Sequence, residues 1–154
     1  VVGVSLDLTT LIDRVASHAA ATGHFERVNQ HEPKSAPGNG LSAAVWVQRV
    51  QPHRSSGLAA TSALVTLMLR MYSNMLQEPQ DEIDPRIGGA VDAVITALSG
   101  DFELGGNARC VDLLGQGNPG VAAQAGYLTI GTTMYRVMDI SVPIIVNDVW
   151  SQAV

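Results

Sequence analysis

The stretch Ser62–Tyr72 constrains the fold of this chain more than any other. Ala63, Val65, Leu67, Leu69 and Met71 recur with period two, so one side of an extended segment is wholly apolar. The alternate positions, Ser62, Leu64, Thr66, Met68, Arg70 and Tyr72, mix polar and apolar groups. The pattern predicts a central strand with one face under helices and the other half-dry, facing a partner.

The flanking sequence supplies what such a strand needs. Leu8, Leu11, Ile12, Val15 and Ala19 form one stripe of a helix expected from about 8 to 22, with Asp7 as its cap and Gly23 as its stop. Phe25–Gln30 and Leu41–Val50 read as strands of a hairpin whose oversized tip is His31–Gly40, rich in proline and glycine. Gln51–Gly57 reads as the next turn. After an acidic connector from Met75, Asp84-Pro85 starts a second helix whose apolar positions Ile87, Val91, Val94, Ile95 and Leu98 keep helical spacing up to Gly100. Then come a short strand (Arg109–Leu114), a long loop (Gly115–Gly126) and a hairpin, Tyr127–Ile130 with Met134–Val146, turning at Gly131-Thr132. Pro143 lacks an N–H and is expected at a sheet edge or a bulge. Asn147–Val154 reads as a tail. The order α-β-β-β-α-β-β-β predicts one α+β domain over residues 1–154, a mostly antiparallel β-sheet flanked by two main helices.

Composition narrows the partners. Charged residues make up 15% of the chain, against the usual figure of about 25%, which points to a surface partly hidden in an assembly. The net charge is −5 with a single lysine, Lys34, and no basic run, so nucleic acid is not expected as a sequence-specific partner. Charge is unevenly spread: residues 1–72 hold six basic against four acidic groups, residues 73–154 three against ten. No apolar run reaches the roughly 18 residues of a membrane span, and the start lacks a basic signal region. A product made soluble inside the cell is therefore expected, without a membrane partner.

No recognisable catalytic arrangement emerges. His18, His24, His31 and His53 have no metal-ligand spacing. The run Glu78, Asp81, Glu82, Asp84 lacks the ligand order of a calcium loop, and the lone Cys110 reads as a strand-buried or half-buried thiol. Gly115–Gly120 (GQGNPG) follows a strand but leads into no phosphate-binding helix. No cofactor and no metal are expected.

Four segments carry a family resemblance: SALVTLMLRMYSNMLQEPQDEIDPRI (Ser62–Ile87), AVDAVITALSGDFELGG (Ala90–Gly106), VDLLG (Val111–Gly115) and AGYLTIGTTMYRVMDISVPIIVND (Ala125–Asp148). Together they resemble the small tail-terminator and neck proteins of long-tailed, siphovirus-type bacteriophages, closest to those of actinobacterial phages. The resemblance implies a non-enzymatic virion subunit that forms a six-membered ring, caps the tail tube and meets the head-side connector. It transfers no individual residue. Candidates for subunit contacts come from the chain itself: Leu64, Met68, Arg70 and Tyr72 on the mixed strand face, the cations Arg14, Arg49 and Arg54, and the loop residues His31, Lys34, Asn39, Gln116 and Asn118. Alternatives are another neck component, such as a head-closure ring or tail-completion protein, or a small ligand-binding domain or enzyme.

Overall fold

The computed structural model describes residues 6–30, 41–53, 60–74, 83–115 and 120–151. The chain runs α1 (Leu8–Ala21), β1 (Arg27–Asn29), β2 (Ser42–His53), β3 (Ala60–Asn74), α2 (Ile83–Gly100), β4 (Cys110–Val111), β5 (Ala122–Ile130) and β6 (Thr133–Ser151). The sheet has six strands in the order β1-β2-β3-β6-β4, with β5 on the same side of β6 as β4. All pairings are antiparallel except β1 with β2. The predicted α+β order is the observed one.

β3 is central, held between β2 and β6 along nearly its whole length. Ala63, Val65, Leu67, Leu69 and Met71 are all fully buried under the helices. Opposite them lie Ile140, Val142 and Ile144 of β6 and Ala43 and Val45 of β2. Leu11, Val15 and Ala19 of α1 and Ile87, Val94 and Leu98 of α2 complete this core. Helical and period-two patterns therefore converge on one apolar layer, and burial of that layer holds the domain together.

Local chemistry sets the element ends. Asp7 caps α1, its Oδ1 accepting from the Thr10 N–H at 3.1 Å and Oδ2 from the Thr10 hydroxyl at 2.6 Å. Gly23, at φ +76°, ends that helix where a side chain would be strained. Gly131, at φ +64°, takes the first position of the two-residue turn between β5 and β6, where a primed hairpin turn requires a left-handed residue. α2 begins at Ile83, so Asp84 lies within its first turn and not ahead of it.

A second carboxylate ties α1 to the end of α2. Asp101 accepts from the Gly105 N–H at 3.0 Å and from His18 Nε2 at 2.8 Å. The Gly105 bond, then His18, hold the Asp101 carboxyl below its ordinary pKa; the Thr10 bonds do the same for Asp7. Both groups are depressed on folding, so their stabilisation is complete above the usual carboxyl pKa and disappears as pH falls through the lower folded values. The melting temperature of Asp101→Ala is expected below wild type at neutral pH, and the gap should close below about pH 4. Thermal melts from pH 7 to pH 2 check this; a gap constant with pH would rule out the carboxylate.

Five expectations are corrected. β1 and β2 are parallel, not a hairpin: Val28 packs toward α1, and the connection from Asn29 to Ser42 is of the length a parallel crossover needs. Gln51–His53 continues β2, because Gln51, Pro52 and His53 pair with Leu64, Ala63 and Ser62. Residues 122–126 belong to β5 and not to a loop. The segment from Asn147 to Ser151 is the end of β6, where Trp150 pairs with Thr61 after a register shift. Pro143 sits in β6, an interior strand: its carbonyl accepts from the Asp112 N–H at 2.8 Å, so its nitrogen faces the seam between β4 and β5, where no ladder bond is lost. The hairpin tip at 31–40, the connector at 75–82 and residues 116–119 lie outside the described residues.

Candidate subunit-contact surfaces

The face of the sheet away from the helices carries the chain's polar chemistry. Its rows follow from the registers: Ala44, Arg70, Asp139 and Gln124 lie side by side across β2, β3, β6 and β5, and Trp46, Met68, Ser141 and Ala122 form the next row. Arg70 Nε donates to Asp139 Oδ1 at 2.6 Å and Nη2 to Oδ2 at 3.2 Å, a two-pronged pair. Its guanidinium also lies 5.3 Å from the centre of the Trp46 ring. The Asp139 carboxylate holds the Arg70 pKa above its ordinary value against the burial that opposes charge.

Beside this pair stands a small apolar cluster. Tyr72 and Tyr135 meet edge to face with centroids 6.2 Å apart, with Ala44 and Val137 buried around them and Trp46, Leu128 and Ile130 packed alongside. Leu64, Met68 and Tyr72 are only 3%, 7% and 1% exposed. The mixed face of β3 is thus not half-dry: β2 and the curl toward β5 and β6 dry most of it within one subunit. Arg70 and Thr66 remain half-buried.

Further along the same face is an open cleft of about 390 Å³, lined by Gln48, Arg49, Leu64, Thr66, Ser141 and Pro143 among others. A bulge in β2 creates its cationic wall. Val47 pairs with Leu67 and Arg49 with the next residue, Thr66, so Gln48 is the extra residue. The bulge reverses the alternation, turning Arg49 from the helix side to the cleft side. In the sequence the slip is marked by Val50 alone, which follows Val47 by three residues and lies on the helix side opposite Val65, so counting in twos along β2 misses it.

The third surface is the β5–β6 ribbon. Four consecutive residues, Ala122–Ala125, are exposed, so neither face of that part of β5 is covered. Tyr127 is 62% and Met134 52% exposed, and Arg136 stacks on the Tyr127 ring at 4.6 Å. The sequence predicts a loop over residues 122–126 because alanine and glycine carry no alternation, and a strand only from Tyr127 onward.

Of the sequence candidates, the structure gathers Leu64 and Arg49 at the cleft and sets Arg70 with Met68 and Tyr72 in neighbouring rows. Arg14 lies apart on α1, its guanidinium beside Gly105. Arg54, His31, Lys34, Asn39, Gln116 and Asn118 lie outside the described residues. Among the described histidines, His18 pairs with a carboxylate, Asp101. Among the described residues no group of three or more His, Cys, Asp and Glu is placed to hold a metal ion. Burial, then the Asp112 carboxylate, push the Cys110 thiol up, which disfavours the thiolate. No helix is long and apolar enough to cross a membrane among the described residues.

No family model matches the chain, and no curated protein matches it in sequence. Among solved structures it is similar to the sheath/tube terminator of the extracellular contractile injection system PVC in its extended state, at 11% identity and TM-score 0.44. That match covers 97% of this chain but only 59% of the other, so the chain spans well under two thirds of that protein's length. A component of the native gene transfer agent virion matches at 12% identity and TM-score 0.41, over 92% of this chain and 98% of that one.

Proposed function

We propose that this chain is a structural virion protein of the tail-terminator type, which assembles head to tail into a ring that caps the tail tube and meets the head-side connector. The observation that carries this reading is where the resembling segments fall. Ser62–Ile87, Ala90–Gly106, Val111–Gly115 and Ala125–Asp148 contain most of β3, α2 and β6, Val111 of β4 and β5 from Ala125 onward. Of these, β3 and β6 are the interior strands of the sheet and α2 is the helix over them.

Sheet order adds support. β1, β2 and β3 come from the first half of the chain and lie on one side; β4, β5 and β6 come from the second half and lie on the other. α1 packs on β1 and β2, and α2 on β3 and β6. Among the described residues, the strands of the net-positive half and those of the net-negative half therefore lie on opposite sides of the sheet. Head-to-tail contact sets unlike surfaces against each other and closes rings, and here it sets unlike charge against unlike charge. Exposed ion pairs contribute about 0–1 kcal/mol each, so charge orients neighbours while apolar burial supplies affinity.

The test is electron microscopy of assembled particles carrying the tagged chain. A ring with a central hole at the head-proximal end of the tube is the expected image. A single central copy, or no label on the particle, overturns the reading; a ring confined to the head vertex moves it to head closure.

A further inference from the structure

From the free edge of β5 we infer that two copies of this chain pair β5 against β5, antiparallel, about a two-fold axis through Gly126. The inference does not rest on the ring reading, since a two-fold contact is closed and joins two subunits only.

Hydrogen-bond direction comes first. In β6 the carbonyls of Pro143 and Ile145 accept from the Asp112 and Arg109 N–H groups, so odd-numbered residues of β6 direct their backbone groups toward the β4 and β5 side. The register from Ile145 to Thr133 is unbroken, and odd residues of β6 oppose even residues of β5, as Val137 opposes Gly126. Even residues of β5 therefore turn their N–H and C=O inward. Ala123, Ala125, Tyr127 and Thr129 turn theirs outward. Among the described residues, β5 pairs with β6 alone, which leaves that outward row without a ladder partner.

The usual protections of an edge strand are missing. Natural sheets place charge, proline or a bulge on a long edge to prevent pairing. From Gly120 to Tyr135 there is no charged residue and no proline, and the β5–β6 register runs without a shift from Ala122 to Ile130.

The sequence of β5 then names the occupant. Before Gly126 it reads Ala122, Ala123, Gln124, Ala125; after it, Tyr127, Leu128, Thr129, Ile130. Antiparallel pairing about Gly126 sets Ala125 against Tyr127, Gln124 against Leu128, Ala123 against Thr129 and Ala122 against Ile130 of the second copy. Every pair but one sets alanine against a larger side chain, with no like charges opposed. The same register sets outward residues against outward residues, so the free N–H and C=O groups satisfy one another, and Gly126 meets its equivalent as a non-hydrogen-bonded pair. A one-residue slip would set outward groups against inward ones. The strand is therefore self-complementary in shape and in hydrogen bonding at the register centred on Gly126, and cross-linking at Gly126 separates this register from those shifted by two residues.

Cysteine cross-linking tests the register in a Cys110→Ala background. At a non-hydrogen-bonded pair the Cα atoms lie about 4.5 Å apart, within disulfide range. A Cβ at Gly126 meets only Val137 Cγ2, at 3.7 Å, so Gly126→Cys fits the fold. Gln124→Cys would face its equivalent across about 14 Å. Gly126→Cys should form a disulfide dimer on mild oxidation at least about ten-fold faster than Gln124→Cys. Light scattering on the unmodified protein should show a dimer that grows with concentration. Ala125→Pro, which removes an outward N–H at an edge that tolerates proline, should be monomeric with an unchanged far-UV spectrum. A monomer at every concentration, equal cross-linking at the two positions, or an unaffected dimer in Ala125→Pro would each overturn the proposal.

Discussion

Leu69→Ala is expected to destabilise the domain by about 3 kcal/mol, within the range of roughly 2–5 kcal/mol for truncating a buried leucine. Leu69 sits at the middle of the central strand, between Val45 of β2 and Ile140 of β6, and is fully buried. Ile140 is itself held between β3 and β5, so the cavity cannot collapse cheaply from that side, which places the loss above the low end of the range. Single domains are stable by about 5–15 kcal/mol, so the substitution removes a large share of the total. Urea unfolding followed by far-UV circular dichroism should show a lower midpoint with an unchanged slope. Thr66→Ala, on the opposite face and half-buried at the open cleft, is the control and should cost less than about 1 kcal/mol. Equal losses at the two positions would mean that the helix-covered face is not the main core.

What was legible in the sequence followed from periodic burial. The face of β3 under the helices, the stripe of α1 and the spacing in α2 all encode their own burial, because a mistake of one residue would turn apolar groups to water. Caps and turns were legible where one residue type does a specific backbone job, as Asp7, Gly23 and Gly131 do. The rest depended on partners distant in sequence. The parallel pairing of β1 with β2 is not encoded in Val28 or its neighbours, and a loop rich in proline and glycine looks the same at a hairpin tip as in a crossover. Tyr72 reads as a residue awaiting another subunit because its cover, Trp46, Tyr135 and Val137, comes from two other strands, and Met68 likewise because its neighbours Trp46 and Ser141 come from β2 and β6. Only the second part of β5, Tyr127–Ile130, reads as a strand; residues 122–126 read as a loop because alanine and glycine fit either state. Of the candidate surfaces, Arg49 was identified as a cation but not as a wall of the cleft, since the bulge at Gln48 decides its direction.

Removing Asp139 tests whether the non-helical face is built around charge or merely tolerates it. Arg70 and Asp139 are direct cross-strand partners with side chains 21% and 31% exposed. This pair lies between two regimes: exposed pairs contribute about 0–1 kcal/mol, whereas stripping one partner from a fully buried pair costs about 3–5 kcal/mol. Asp139→Ala leaves the guanidinium beside Trp46 with its main acceptor gone, and a loss of about 2 kcal/mol is expected. Arg70→Met keeps the apolar stem packed and removes both the charge and the need for an acceptor on that side. It should cost less than Asp139→Ala, and the double variant Arg70→Met/Asp139→Ala should recover part of the single loss. Urea midpoints for the four proteins give the coupling directly. Strict additivity would mean that the two-pronged contact stabilises nothing and that Trp46 and Tyr72 hold Arg70 unaided. A coupling above about 1 kcal/mol, undiminished by salt that screens exposed charges over about 8 Å, would establish the pair as the clasp between β3 and β6. Those strands join the positively charged half of the chain to the negatively charged half, so a face stiffened there would hold the two flanks in the fixed relation that a closed ring requires.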